Sequence, residues 1–264
     1  MKTNWGEMFM FARRDIVKGA AMVPLSAILA DPILAAAAAA TAEEVTLNLP
    51  DGTPVIASVS LPEVTPAPAI ILIHEWWGLN DQIKAVGAEL AKAGYVAVSV
   101  DLYGGKVATK PDDARNYMQQ VDAGIAGETL KTWVEWARDY DKTTDKVGTM
   151  GWCFGGGWSL NASIASPIEA TVVYYGNVAK PAVQLQSLKG PVMGHFATED
   201  QWINKVMVDG FVDQMAQAGE PAPEIFWYEA DHAFANPSSG RYDREDAQLA
   251  WKRSLEFLKN NLMG

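Results

Sequence analysis

The chain has 264 residues, 49% hydrophobic and 20% charged, with a net charge of −11. That length suffices for a full hydrophobic core in one large domain, and the composition excludes a chain disordered throughout. One cysteine excludes an internal disulfide, and with three histidines it leaves little from which to build a zinc centre. The acidic balance argues against nucleic acid or an anionic membrane as main partner.

Residues 1–42 differ from the rest. Arg13-Arg14 and Lys18 precede a weakly apolar, Ala-rich stretch from Gly19 to Leu34, which ends in Ala35 to Ala40. A basic start, an apolar middle and small residues at the end follow the order of an export signal. The arginine pair resembles a twin-arginine signal, which carries folded proteins across the bacterial inner membrane. Ala12 stands where Ser or Thr is common, and Ile16 where Phe is common. Asp31-Pro32 breaks the apolar run, which argues against a stable membrane span. This reading expects cleavage near Ala40 or Ala42, the export machinery as a partner, a periplasmic location, and one catalytic domain over residues 43–264. The plainer alternative is an N-terminal extension with a chance Arg-Arg.

Glu44–Leu49 and Val55–Leu61 flank Pro50-Asp51-Gly52-Thr53, a hairpin signal. Pro-rich residues 62–68 read as a loop. Ala69–His74 is a continuous apolar run of the kind that suits a buried parallel strand. Asp81–Ala93 carries Ile83, Val86 and Leu90 at helical spacing and stops at Gly94. Strands follow at Tyr95–Val100, Lys146–Met150, Ala170–Tyr175, Pro191–Phe196 and Glu224–Glu229. Helices are expected at Pro111–Val121, Glu128–Tyr140, from about Phe154, and from about Asp243 to Leu262. Alternating strands and helices predict an α/β fold, a mostly parallel sheet with helices on both faces and its site at the carboxyl ends of the strands.

Four such ends carry chemistry. Gly151-Trp152-Cys153-Phe154-Gly155 fits Gly-x-nucleophile-x-Gly between a strand and a helix. The helix start behind it favours a thiolate and an oxyanion. A buried, inert cysteine beside a glycine packing turn is the alternative. His232 follows the strand ending near Glu229, and Asp200 follows the strand ending near Phe196. The order Cys153, Asp200, His232 is that of nucleophile, acid and base in the α/β-hydrolase triad. Glu199 and Asp231 are alternative acids, less favoured because Asp200 has the better reach from its strand. His195 is expected to pack within its strand, and His74 to help shape the pocket without moving a proton. The loop His74-Glu75-Trp76-Trp77-Gly78 lies where one oxyanion donor is expected, so the backbone amides of Trp76 and Phe154 are the candidate pair. A carboxylate at Glu75 is awkward there, since it would repel the developing charge.

With these motifs in place, residues 44–264 resemble the dienelactone hydrolase (carboxymethylenebutenolidase) family. The resemblance rests on His-Glu-Trp-Trp-Gly-Leu-Asn at 74–80, Asp101-Leu102-Tyr103, Gly-Trp-Cys-Phe-Gly-Gly at 151–156, Asp200, and Asp231-His232-Ala233-Phe234. It implies an α/β-hydrolase fold, a Cys153–His232–Asp200 triad, and a Glu75 that holds the resting thiol and then swings clear. It also implies two arginines for the substrate carboxylate. This chain has Gly104-Gly105-Lys106 and Asn236 at the matching places, and lysine lacks arginine's planar two-point grip. The expected substrate contacts are Tyr103, Lys106, Trp77, Trp202 and Asn236, with the tryptophans favouring an apolar or aromatic substrate.

A cysteine nucleophile adds a constraint. Thiolate departs more readily than a simple alkoxide, so the forward reaction needs a good leaving group, as in enol lactones, aryl esters and thioesters. The expected activity is hydrolysis of lactones or activated esters with no metal or organic cofactor. The competing readings are a broad-specificity periplasmic esterase or thioesterase, a non-catalytic binding protein on the same scaffold, and a redox-sensing thiol.

Overall fold

A computed structural model describes residues 25–264; Arg13, Arg14 and Lys18 of the expected signal lie outside them. The described chain opens with two short helices, α1 (Leu25–Ala30) and α2 (Pro32–Ala39). Asp31 caps α2, accepting the Ile33 N–H at 2.8 Å, and Pro32 presets the first helical turn.

Among the described residues the sheet has eight strands in the order β1-β2-β4-β3-β5-β6-β7-β8. They are β1 (Glu43–Asn48), β2 (Pro54–Ser60), β3 (Ala67–Ile73), β4 (Val96–Val100), β5 (Thr143–Trp152), β6 (Ala170–Tyr174), β7 (Val192–Ala197) and β8 (Glu224–Tyr228). The pairings of β2 with β1 and β4 are antiparallel, and all others are parallel. Every residue of β3 is buried, because helices cover both faces. Ile70 and Leu72 share a core with α3 (Asp81–Lys92) and α9 (Arg244–Leu262). Ile71 and Ile73 share another with α5 (Ala123–Asp139). A third core joins β6 and β7 to α6 (Phe154–Ala165) and α8 (Lys205–Ala218). The smaller α4 (Pro111–Gln120) and α7 (Ala182–Leu185) complete the set.

The predicted strands and helices occur in the predicted order, with shifted ends. The helix expected from Glu128 starts at Ala123, where Asp122 accepts the Ile125 N–H at 2.9 Å. That cap and the burial of Ala126 and Leu130 outweigh the cost of Gly124 and Gly127. The strand expected over Lys146–Met150 runs on to Trp152, so the sheet itself carries the chain up to Cys153. The change in sequence character at residue 42 is not a break in packing. Ile28, Leu29 and Ala35 join the same buried cluster as Ile83 and Val86, and α2 packs on α3. No helix among the described residues is long and apolar enough to cross a membrane.

Topology explains where a site should lie. From β3 the chain moves outward to β4 on one side, and from β5 it moves to β6 on the other. The connections leaving these two central parallel strands therefore diverge at their carboxyl ends and leave a crevice there.

Candidate active site

Register determines which side chains meet in that crevice. Ile73 of β3 pairs with Gly151 of β5, so Glu75 and Cys153, each two residues further on, leave the sheet side by side. Trp152 pairs with Tyr174, which sets Cys153 next to Tyr175. Ala197 of β7 pairs with Tyr228 of β8, so the loops bearing Asp200 and His232 start level with each other.

Cys153 occupies the turn between β5 and α6 with φ 53° and ψ −115°. That backbone costs a residue bearing a Cβ free energy, and the surroundings must hold it. Its N–H donates to Tyr174 O at 3.0 Å, and its carbonyl accepts the N–H groups of Gly156 and Gly157 at 3.1 and 3.3 Å. Glycines let the turn close: a Cβ on Gly155 would strike the carbonyls of Ile73 and His74. Tyr175 (φ 36°) and Ala233 (φ 66°) also have positive φ, so three of the four such non-glycine residues among those described cluster at the site.

The three candidate triad side chains form one chain of contacts. Cys153 Sγ lies 3.1 Å from His232 Nε2, and His232 Nδ1 lies 2.6 Å from Asp200 Oδ2. The other Asp200 oxygen accepts the N–H groups of Trp202 and Ile203 at 2.8 and 3.0 Å, which fixes the carboxylate from behind. Burial works against the Asp200 charge, but the hydrogen bonds from His232 and Ile203 outweigh it and hold its pKa below the usual range. Burial also works against a charged His232. The hydrogen bonds to Asp200 and Cys153, with their charges, win and push His232 up to about 10. Neither Trp76 N–H nor Phe154 N–H has an acceptor among the described residues, so both remain available as donors.

Of the two positions expected for Glu75, the structure holds the one clear of the thiol. Glu75 Oε1 accepts the Tyr175 hydroxyl at 3.1 Å and its Oε2 accepts Asn236 Nδ2 at 2.6 Å, while Cys153 is already paired with His232. Glu75 is 6% exposed, and burial raises its pKa despite those two donors. Asn236 is thus committed to Glu75 through its amide nitrogen, and its Oδ1 accepts Ser238 N–H.

The other expected contacts divide. The exposed Trp202 presents its edge to His232, ring centroids 5.3 Å apart. Trp77 packs edge-on to Trp76 at 5.0 Å, and its carbonyl accepts Ala108 N–H. Tyr103 is buried against His74 and Phe154. Lys106 is not brought to the triad: its ammonium lies 5.4 Å over the Tyr117 ring, beside a separate cavity that Tyr103 also lines. His195 packs as expected, bonded to Tyr228 and Ser254 and pushed down to about 3 by burial, with the Arg253 charge adding to it. His74 bridges Glu75 O and Leu102 N–H, a shaping role.

Two site residues escape the sequence reading. Tyr175 falls at the end of the strand expected over Ala170–Tyr175, yet it stands one residue past β6, next to Cys153. Arg241 lies over the Trp202 ring at 5.4 Å and 4.0 Å from Asp231, in a turn-rich loop with no periodicity to mark it.

A parallel-sheet sandwich with a strained cysteine elbow, and with a histidine and an acid on later strand ends, defines an α/β-hydrolase. Residues 55–262 match the model of the dienelactone hydrolase family, and the chain belongs to that family. It is a hydrolase of the carboxylic ester class. It is 29% identical over 233 residues to the carboxymethylenebutenolidase of Pseudomonas putida, covering 82% of this chain and 95% of that one. It is 31% identical over 210 residues to the protein usf of Aquifex pyrophilus, covering 74% and 89%. Among solved structures, a dienelactone hydrolase-like promiscuous phosphotriesterase from metagenomic libraries superposes with TM-score 0.76 at 19% identity. The match covers 84% of this chain and 99% of that one, a likeness of fold.

Proposed function

We propose that this protein hydrolyses enol lactones and activated esters through a Cys153–His232–Asp200 triad and a thioester acyl-enzyme. The observation that carries this is the unbroken contact chain from Sγ through the imidazole to the Asp200 carboxylate, set on a strained elbow. His232 Nε2, 3.1 Å from Sγ, takes the thiol proton as the thiolate forms. The thiolate attacks the carbonyl carbon, and the oxyanion takes the N–H groups of Trp76 and Phe154. Collapse opens the lactone ring to a tethered enolate, or expels the phenolate of an aryl ester; that oxygen takes the His232 proton, and the acyl group stays on sulfur. His232 then removes a proton from water, the hydroxide attacks the thioester, and thiolate and imidazolium are restored. These steps use side chains and backbone alone.

The carboxymethylenebutenolidase of Pseudomonas putida supports the lactone part of this reading. The Trp202 ring beside His232 supports activated aryl esters as well. We further propose that residues 1–42 serve as a twin-arginine-type signal and that the enzyme works in the periplasm. The order of charge, apolar run and small residues supports this.

The test is a rapid-quench reaction with an aryl ester, followed by intact and peptide mass measurement. The expected result is a stoichiometric burst of phenol and one acyl group on the Cys153 peptide. Turnover without an adduct in wild type, and undiminished in Cys153→Ala, overturns the covalent mechanism.

A further inference from the structure

His195 is a buried titratable group with no part in the proposed reaction, and it sits at the centre of a polar network. It is the β7 residue paired with Tyr174 of β6. Its Nδ1 lies 2.8 Å from the Tyr228 hydroxyl of β8, and its Nε2 lies 2.9 Å from Ser254 Oγ of α9. Ser254 Oγ also lies 2.8 Å from the Tyr174 hydroxyl, and Arg253 Nη1 donates to the Tyr228 oxygen at 3.1 Å. Tyr174, His195, Tyr228 and Ser254 are all buried. The network thus ties three strands to the last helix.

One arrangement of protons satisfies every group in it. Burial, with the Arg253 charge adding to it, pushes the His195 imidazole down to about 3, so the ring is neutral and carries one donor and one acceptor. The Tyr228 oxygen accepts from Arg253, and its own proton goes to His195 Nδ1. The ring proton then sits on Nε2 and goes to Ser254 Oγ. Ser254 accepts from the Tyr174 hydroxyl as well and donates to Ala250 O at 3.0 Å. A buried network satisfied throughout holds its members in one geometry, whereas a half-satisfied one is worse than an apolar core.

What it holds lies directly behind the site. Tyr174 O accepts Cys153 N–H at 3.0 Å, and the Tyr174 ring stacks at 5.3 Å on Trp152, the residue before Cys153. The His195 carbonyl accepts Tyr175 N–H at 2.8 Å, which secures Tyr175 at its positive φ of 36°. Tyr175 in turn packs edge-on to His232 at 5.2 Å and donates to Glu75. The side chain of His195 therefore acts on the residue that holds the nucleophile, and its carbonyl acts on the residue that packs against the base.

We propose that His195 is a positioning residue: its imidazole, bridging Tyr228 and Ser254, fixes the Tyr174–Tyr175 pair and through it the approach of Cys153 to His232. The inference rests on the ester-hydrolase reading above and adds to it a residue outside the triad.

The test compares the full chain with His195→Leu, which removes both ring contacts, and with His195→Gln, which keeps one acceptor and one donor. Steady-state kinetics with p-nitrophenyl acetate and the rate of Cys153 alkylation by iodoacetamide at neutral pH are measured well below each thermal midpoint. In His195→Leu, kcat falls at least about tenfold with KM within about twofold, since a misplacement on the order of 1 Å costs that much or more. Alkylation slows as well, because His232 no longer reaches the thiol to take its proton. His195→Gln recovers most of both losses. If circular dichroism shows that His195→Leu does not fold, Ser254→Ala takes its place, since it cuts the links to His195 and Tyr174 together, and the same two losses are expected. A folded variant that melts at a lower temperature but keeps wild-type kcat and alkylation makes His195 a packing residue and overturns the proposal. So does a folded His195→Gln as impaired as His195→Leu. Absence of Cys153-dependent turnover by wild type, with the alkylation rates ordered as expected, overturns the ester-hydrolase reading instead, so the two failures are distinguishable.

Discussion

His232 stands between two anion-forming groups, 3.1 Å from sulfur and 2.6 Å from carboxylate, and these contacts govern its pH behaviour. Its folded pKa of about 10 lies above the 6.5 of an ordinary imidazole. The folded state therefore holds a proton that the unfolded state releases over that interval, and the associated stabilisation is complete below pH 6.5 and lost as pH rises through about 10. Urea melts of wild type and His232→Gln will accordingly differ most near neutrality and below, and the gap will narrow toward pH 10. A gap that widens with pH would contradict the arrangement. Asp200→Asn removes the carboxylate that orients the imidazole. On the proposed mechanism kcat falls by about 10²- to 10⁴-fold with KM little changed, as steady-state kinetics on an aryl ester will show. An equal loss in KM alone would make Asp200 a binding group. At this scale residue type and order were informative about which side chains meet: Cys153, His232 and Asp200 form one chain of contacts. The sequence was silent where a side chain chooses among partners. Nothing local says that Glu75 takes Tyr175 and Asn236 in place of sulfur, because those partners lie 100 and 161 positions away.

The elbow works because two elements touch through glycine. Gly155 sits in the first turn of α6 directly against the carbonyls of Ile73 and His74, and Gly156 sits against Tyr174 O and Gly176. Gly155→Ala must push α6 off β3 and move Cys153 away from His232. The expected outcome is a variant with a clearly lowered thermal midpoint and at least a hundredfold loss of kcat/KM, because a displacement on the order of 1 Å at a reacting group costs about that much. Wild-type activity in a folded variant would mean that the close approach is not needed. Most elements were legible in the sequence because their signals agree: a continuous apolar run gives β3, and helical spacing with a stop at Gly94 gives α3. The start of α5 was not, because two glycines outweighed one cap on local grounds while burial against β5 decided the outcome.

For the whole molecule, residues 25–39 pose the question of what the working protein contains. Leu25 and Leu29 of α1 form the outer wall of a cavity behind Glu75, and Gln82 donates to Leu29 O at 2.9 Å. If residues 1–42 are an export signal, processing removes that wall. Amino-terminal sequencing of the protein from fractionated producing cells will, on the export proposal, find a periplasmic chain beginning near residue 41 or 43. A cytoplasmic chain beginning at Met1 would refute it. The central claim concerns the triad, and the most direct measurement is hydrolysis of a dienelactone and of an aryl ester by wild type and Cys153→Ala side by side. The account predicts wild-type turnover of the aryl ester or of both substrates, and none above background in the variant. Turnover by Cys153→Ala equal to wild type would contradict it.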